Sequence, residues 1–543
     1  MLNKYYVDVN KNNGRFSEVE EMKKDFRRIN FENPEKNIQT ASGPAIEIEL
    51  NENGNVIGGY MDDGDNNTAI ISQTGSGKTR RILVPYLLSC IQAAQPLIIH
   101  DPKGEIYGFF YTQLKKNGYD IKVLNFREPM KGDRFNPLQD AARLWKQGKR
   151  GRAVEIARSI AKSIYSKIED KTDLFWTEAS MNLFLCYFCI AAELYQPEYV
   201  TLSVIYHIHL EGTEQAGLES KMQKYLSQHE NELCYELGYP TVSGPNETRR
   251  SVYAVFGNGL TRLVLNEDIS DMLSCSTFEV EDIAAGEKPV ALFLITRDEE
   301  PATYSTVVGA IFNLLYTGLV DYAQNFHNRL PKTVHMILEE FGNIAPLENI
   351  NDMLTASRSR NIRMLIILQS KDQLLISYSK EIANVLIGNV QNLIFLSTSD
   401  MELAELISKR CGQVTDPYTH ENRRLLSQDQ LTHFDKDKGE TLLLLGGHYA
   451  YITYFPDLSS YKMITPLDEV NIKERKRLQI EYASLKEIMD KQEQERVDAI
   501  LAGEDVQTRK QKKVSERRYE LFLKNRPVSS ALHERINNLI TMS

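Results

Sequence analysis

Cysteine is scarce in this chain: 543 residues carry six, at positions 90, 186, 189, 234, 275 and 411. Cys186 and Cys189 form a C-x-x-C, but it sits inside the apolar run 183–192 with no second Cys or His pair near it. Small thiols in a buried helix are therefore expected there rather than a metal or redox site, a pattern suited to a reducing cytoplasm. The opening string MLNKYYVDVNKNNGRF has no apolar core, which argues against a secretory leader. No run is read as reaching the roughly 20 apolar residues that span a bilayer, so a soluble chain is expected. Positive charge is not in excess, since 64 Lys+Arg face 74 Asp+Glu for a net −10. Any nucleic-acid contact must then use a local basic surface. Repeats and low-complexity tracts are missing too. What is present is an ordinary globular composition, 42% hydrophobic and 25% charged, on a chain too long for one core. Two or three domains are expected.

Residues 1–65 are polar and mixed, with 45–50 and 55–60 flanking the turn-like Asn51-Glu52-Asn53-Gly54, which predicts a hairpin. A strand at 68–71, a Gly-rich loop and a helix from Lys78 follow. Apolar runs at 97–100 and 121–124 come next, parted by a helical stretch. That alternation predicts an α/β fold with a parallel-rich sheet. Between about 140 and 288 a 3.6-residue period takes over at 152–167, 174–194, 214–236 and 248–265, which predicts an all-α insertion domain. Strand patterns resume at 290–295, 334–338, 362–368, 393–396 and 441–445. The expected organisation is an N-terminal segment (1–65), a nucleotide-binding domain in two parts (66–139 and 289–470) interrupted by the helical domain (140–288), and a charged helical tail (471–543). That tail holds 16 Lys+Arg against 12 Asp+Glu.

The most informative string is Ser72-Gln73-Thr74-Gly75-Ser76-Gly77-Lys78-Thr79, placed after a strand and at the start of a helix. Its glycines let successive N–H groups turn toward phosphate oxygens, and the helix N-terminus adds partial positive charge. Thr74, Gly75, Ser76, Gly77, Lys78 and Thr79 are the expected binding residues for ATP, with Lys78 on the β- and γ-phosphates and the Thr79 hydroxyl on Mg²⁺. Ser72 stands where the pattern usually has Gly, which works only if that position needs no Gly-only dihedrals. The run at 334–338 ends in Glu339-Glu340. Glu339 is expected to hold the Mg²⁺ shell through water, one methylene longer than the usual Asp, and Glu340 to act as general base. Gln369, at the end of 362–368, either senses the γ-phosphate or satisfies sheet-end backbone groups. Arg358 and Arg360, just before that run, either reach a neighbouring subunit's nucleotide as an arginine finger or form surface ion pairs.

These strings, with Val84-Pro85-Tyr86-Leu87-Leu88, His100-Asp101-Pro102-Lys103-Gly104-Glu105, Phe135-Asn136-Pro137-Leu138, Glu339-Glu340-Phe341-Gly342-Asn343 and Gln369-Ser370, resemble the type IV coupling proteins, the TraG/TraD-type conjugation ATPases. Fainter echoes are Phe175-Trp176 and Asn246-Glu247-Thr248-Arg249-Arg250. The resemblance covers roughly 66–460. It implies a RecA-like P-loop NTPase domain with an all-α insertion and a homo-hexameric ring. It also implies passage of single-stranded DNA, recruitment of a relaxase and contact with type IV secretion channel components. Relatives usually begin with transmembrane helices. None is read here, so docking through a separate membrane anchor protein is expected, with the chain cytoplasmic and peripheral at the inner face of the membrane. The strand at 97–100 is expected beside the phosphate-loop strand, bringing Asp101 to the sheet's C-terminal edge, with Pro102 and Gly104 in a tight turn. Whether Asp101 meets Mg²⁺ or braces the loop is left open.

Two basic stretches are candidate nucleic-acid surfaces or solvated helix faces. One is Arg143, Lys146, Lys149, Arg150, Arg152, Arg158, Lys162 and Lys167, with Glu155 its only acid. The other lies in the tail, at Arg509, Lys510, Lys512, Lys513, Arg517, Arg518, Lys524 and Arg526. An ATP-driven single-stranded DNA translocase is the leading expectation. The alternatives are a nucleotide-gated recruitment platform with little hydrolysis and an FtsK-like double-stranded DNA pump.

Overall fold

The computed structural model describes residues 14–478 except 35–40, 74, 166–173, 218, 298–300, 348–349, 416–419 and 468, with scattered positions from there to 498. Two compact units separate: Met1–Tyr206 with Asn231–Ile480, and His207–Glu230 with Glu481–Ser543.

In the first unit, β1 (Arg27–Asn30), β2 (Ala45–Leu50) and β3 (Val56–Met61) form a small antiparallel sheet in the order β1-β3-β2. The hairpin turn comes as expected: Asn51 Oδ1 accepts from the N–H groups of Asn53 and Asn55, an Asx turn. The main sheet has nine strands. They are β4 (Thr68–Ile71), β5 (Leu97–Asp101), β6 (Asp120–Asn125), β7 (Val290–Ile295), β8 (Val334–Leu338), β9 (Ile362–Leu368), β10 (Asn392–Phe395), β11 (Glu440–Leu444) and β12 (Tyr451–Tyr454). Their order is β12-β11-β10-β4-β9-β8-β5-β7-β6. The seven from β10 to β6 pair in parallel, and β11 and β12 add an antiparallel edge. Every residue of β4, β7, β8 and β9 is buried. Parallel strands covered on both faces read this way, as nearly continuous apolar runs, interrupted here by Thr68, His335 and Arg363. On one face Leu87 and Ile91 of the helix Val84–Gln92 and Phe110 and Leu114 of the helix Glu105–Lys116 pack over Ile70, Ile99, Ile337 and Ile367.

Two positions differ from expectation. β5 does not lie beside β4, because β9 and β8, both from the second half of the chain, come between them. For the same reason Glu339 and Glu340 follow a strand next but one to β4. The periodic stretch 214–236 is not one helix. It contains the ribbon Gln215–Ala216/Glu219–Ser220 and the helix Lys221–Ser227, whose N-cap Ser220 accepts from the Gln223 N–H, and the helix Leu233–Val242 starts afresh.

The reading that no segment is long and apolar enough to span a membrane is also corrected. The helix Leu174–Leu194 and the stretch Tyr304–Phe326 pass by length and composition, but 67% and 56% of their apolar windows are buried inside the protein. The first is apolar all round because it packs among the helices Arg150–Tyr165, Leu233–Val242 and Asn246–Val264. Cys186 and Cys189 lie buried in that helix as free thiols.

The chain returns after the sheet to cross the β6 side. Gly132 N–H donates to the Lys473 carbonyl at 3.1 Å and Arg475 N–H to the Met130 carbonyl at 2.8 Å. Asp271, with 2% of its side chain exposed, takes both arms of the Arg134 guanidinium at 3.0 Å, Arg475 Nη2 at 3.3 Å and the Leu478 N–H at 2.8 Å. Removing this acid would leave two largely buried cations unpaired. Asp271→Ala should therefore cost about 3–5 kcal/mol, seen as a lower denaturant midpoint. An unchanged midpoint would show the cluster to be dispensable.

Candidate functional site

The sheet's C-terminal ends gather the candidate residues. The Ser72 N–H donates to the Leu368 carbonyl at 3.1 Å and the Gln73 N–H to the Ser397 carbonyl at 3.2 Å, which anchors the loop to the strand ends on both sides. Gly75 and Gly77 take left-handed φ of 76° and 88°, the conformations only glycine adopts freely. Ser72 needs no such freedom, being absent from the positive-φ residues, and its hydroxyl donates to Ser76 Oγ at 2.6 Å. Ser at this position is thus accommodated. Thr74 lies outside the described residues.

The helix expected from Lys78 begins as a π-helical segment, Lys78–Leu83, before the α-helix Val84–Gln92. Pro85 cannot donate into a regular ladder, and a wider first segment is one way to pass it. Lys78 Nζ reaches back to the Ser72 carbonyl at 2.7 Å. Burial pushes its pKa down to about 8, with Glu340 and Glu339 opposing and Lys103 adding to the fall.

The Thr79 hydroxyl donates to Glu339 Oε1 at 2.7 Å. Glu340 adopts a left-handed backbone, φ 50° and ψ 50°, a sharp turn costing about 1–3 kcal/mol for a non-glycine residue. Both its carboxylate oxygens are held by amides: Gln369 Nε2 donates to Oε1 at 3.1 Å and Asn343 Nδ2 to Oε2 at 2.9 Å. The Gln369 N–H in turn donates to Gln373 Oε1 at 3.0 Å. Gln369 therefore contacts the candidate base directly.

Asp101 braces its loop. Its Oδ2 accepts the Tyr107 N–H at 2.8 Å, satisfying the first turn of the helix Glu105–Lys116, while its Oδ1 is buried with no hydrogen-bond partner. Burial lifts its pKa to about 6. His100 Nδ1 meets the Glu339 carbonyl at 2.6 Å and its Nε2 meets Thr296 Oγ1 at 3.2 Å, with burial lowering its pKa to about 4.

Arg358 and Arg360 are not brought to this site. They precede β9 while Gln369 follows it, and seven strand residues at about 3.3 Å each separate the two ends. Arg358 pairs with Asp65 at 2.9 Å, both half-exposed. At least four of the eight residues of the first basic stretch are engaged within the protein. Arg143 pairs with Glu279, Arg150 with Glu193 and Arg152 with Asp321. Lys146 donates to the Glu193 carbonyl. Lys167 and the tail cluster lie outside the described residues.

The profile of the family described as type IV secretory system conjugative DNA transfer matches residues 21–441. The chain belongs to this conjugative DNA-transfer family. Among its relatives, the VirD4 protein of Rhizobium rhizogenes is 24% identical over 400 residues, 71% of this chain and 55% of that protein. The conjugal transfer protein TraG of Escherichia coli is 25% identical over 429 residues, 70% and 63% of the two chains. The chain spans a little over half the length of such curated relatives, 55% and 54% for two VirD4 proteins. Among solved structures, the plasmid coupling protein TrwB in complex with the ATP analogue ADPNP aligns with TM-score 0.59 at 15% identity, covering 88% of this chain and 98% of that one. TrwB in complex with ADP and Mg²⁺ aligns with TM-score 0.56 at 16% identity, covering 85% and 95%. At those identities the likeness establishes the RecA-like α/β fold.

In this member of the conjugative family, three contributors escaped sequence reasoning about roles. Asn343 and Gln373 fall inside or beside strings already singled out, yet only the turn at Glu340 and the helix Asp372–Ser377 aim them. His100 reads as one more strand residue until β5 is placed beside β8. The Thr79 hydroxyl and the Glu339 carboxyl meet directly, and Asp101, whose Oδ1 has no hydrogen-bond partner, is near enough to raise Glu339, so the oxygens gathered here are of the kind a hard divalent cation takes. Among the described residues no cluster of three His, Cys, Asp or Glu could hold a metal unaided, so the remaining ligands must come from elsewhere, as phosphate oxygens and water would supply them.

Glu339 is held up to about 8, by burial first and by the neighbouring Asp101 second, against an ordinary 4.5. The folded chain keeps this proton where the unfolded chain has released it, so the carboxyl's contribution to stability falls as pH rises from about 4.5 to about 8. Glu339→Gln removes the titration. The nucleotide-free melting temperature of the variant should gain on the parent by several degrees between about pH 5 and pH 8. A difference that stays flat with pH would contradict the burial of a protonated acid.

Proposed function

We propose that the chain is an ATP-hydrolysing coupling protein that recruits relaxase-bound single-stranded DNA and drives it toward a type IV secretion channel. The observation that carries this reading is the joining of the phosphate loop to the acid pair through the Thr79–Glu339 contact, with Gln369 on Glu340. ATP would place its β- and γ-phosphates on the loop N–H groups and on Lys78. Thr79 and, through water, Glu339 would hold Mg²⁺, which would supply neutralisation of the charge that builds on the phosphates. Glu340 orients and deprotonates the attacking water. The TrwB structures, in complex with ADPNP in one case and with ADP and Mg²⁺ in another, support the choice of nucleotide and metal.

Both oxygens of Glu340 are occupied by side-chain amides, so the base is engaged by the chain's own groups. That favours a restrained resting state, with Gln369 released toward a γ-phosphate as the switch. It also leaves room for the second reading, a nucleotide-gated platform of low turnover. Arg358 or Arg360, remote from the chain's own site, would complete a neighbour's in a ring of identical subunits, for which a hexamer is the proposal. Residues 140–288 are proposed as a mainly helical domain of each subunit, interrupted by the ribbon Gln215–Ala216/Glu219–Ser220, and the whole subunit as peripheral at the inner face of the cell membrane through partners.

Lys78→Ala should lower single-stranded-DNA-stimulated phosphate release about a hundredfold or more. Tight ATP binding by the parent with no release, even with DNA, would instead select the platform. For the arginine, Arg358→Ala and Lys78→Ala proteins should each be inactive alone. They should recover part of the activity when mixed, because the intact loop of one meets the intact arginine of the other. No recovery at any ratio would remove Arg358 from the site.

A further inference from the structure

We infer that His100 is a positioning residue for the acid pair, holding the peptide between Glu339 and Glu340 so that Glu339 faces the metal. The inference rests on the reading of Glu339 as the metal-side acid. β8 ends at Leu338, opposite His100 in the parallel register, while β5 continues one residue further to Asp101. The Glu339 carbonyl therefore has no further ladder partner on that side, and the imidazole takes it at 2.6 Å. A carbonyl only accepts, so Nδ1 carries the hydrogen and donates. The second nitrogen, at 3.2 Å from Thr296 Oγ1, is steadied from the end of β7. An edge-on contact with Phe312, centroids 6.2 Å apart at 84°, fixes the ring's plane. One side chain thus ties the ends of β5, β7 and β8 together at the carbonyl where the chain turns left-handed into Glu340. Glu339 carries a longer arm than Asp, so its reach to a cation depends on where its backbone is held. Groups that orient a metal-side ligand in this way commonly matter to metal affinity about 10–100-fold.

The test is Mn²⁺ binding, read by electron paramagnetic resonance, to the full chain saturated with a non-hydrolysable ATP analogue. His100→Asn keeps a donor where Nδ1 lies, whereas His100→Gln keeps only the distal position. His100→Ala and His100→Gln should weaken Mn²⁺ binding about 10–100-fold while His100→Asn stays near the parent. Binding of the analogue without metal should be the same in all of them. Thr296→Val, which leaves the imidazole in place but unsteadied, should shift affinity in the same direction and covers the case in which the alanine variant fails to fold. Glu339→Ala is run beside them. If it leaves Mn²⁺ affinity unchanged, the reading of Glu339 fails and takes this inference with it. If it weakens binding while the His100 and Thr296 variants match the parent, or if Asn proves no better than Gln, the role of His100 alone is overturned.

Discussion

The phosphate loop follows β4 and the acids follow β8, separated in sequence by some 260 residues, yet the Thr79 hydroxyl touches the Glu339 carboxylate at 2.7 Å. That contact exists only because β8 and β9 slot between β4 and β5. The first half of the chain leaves a gap in its own parallel sheet, and the second half fills it. Every other feature of the site inherits this constraint. Gln369 meets Glu340 because β9 is a strand in the gap, and the loop is pinned by Leu368 on that side for the same reason, while Ser397, just beyond β10, pins it from the other flank of β4. A site made of such distant pieces forms only after long-range pairing, an entropically expensive and slow kind of assembly.

The electrostatics follow from that closure. Burying one ammonium among three acids lowers the lysine and raises Glu339 and Asp101, and in each case desolvation is the largest cause. The pocket is therefore built with charges partly suppressed, as low-dielectric surroundings favour. A polyanion and a dication together reverse both shifts at once. Lys78 regains a partner for its proton, and Glu339 gains a reason to release its own.

Much of the site was legible because phosphate chemistry imposes local spacing. Lys78, Thr79, Glu339, Glu340 and Gln369 are each placed by a motif a few residues long at a strand end. The strands β4, β7, β8 and β9 were legible to the residue, since burial on both faces leaves a nearly continuous apolar string, broken only by Thr68, His335 and Arg363. Strand order was not legible, because an apolar string does not say which other string lies beside it. β5 was accordingly assigned the wrong neighbour, and with it the part played by His100 stayed hidden. The edge strand β12, short and alternating in burial, gave too weak a pattern to be picked out. The stretch 214–236 misled in the other direction, since helical periodicity persists through a ribbon that turns at Gly217, φ 82°.

The crossing of β6 by residues 471–478 has a mechanical side. The strap is laced on one flank by backbone bonds to the loop 130–132 and on the other by Asp271, Glu267 and Asp268. A load on the chain beyond Leu478 would fall first on these fasteners. Several of them act in parallel across two pieces of the molecule, so tension arriving from the tail would be divided between the sheet's rim and the helical layer instead of peeling either one away.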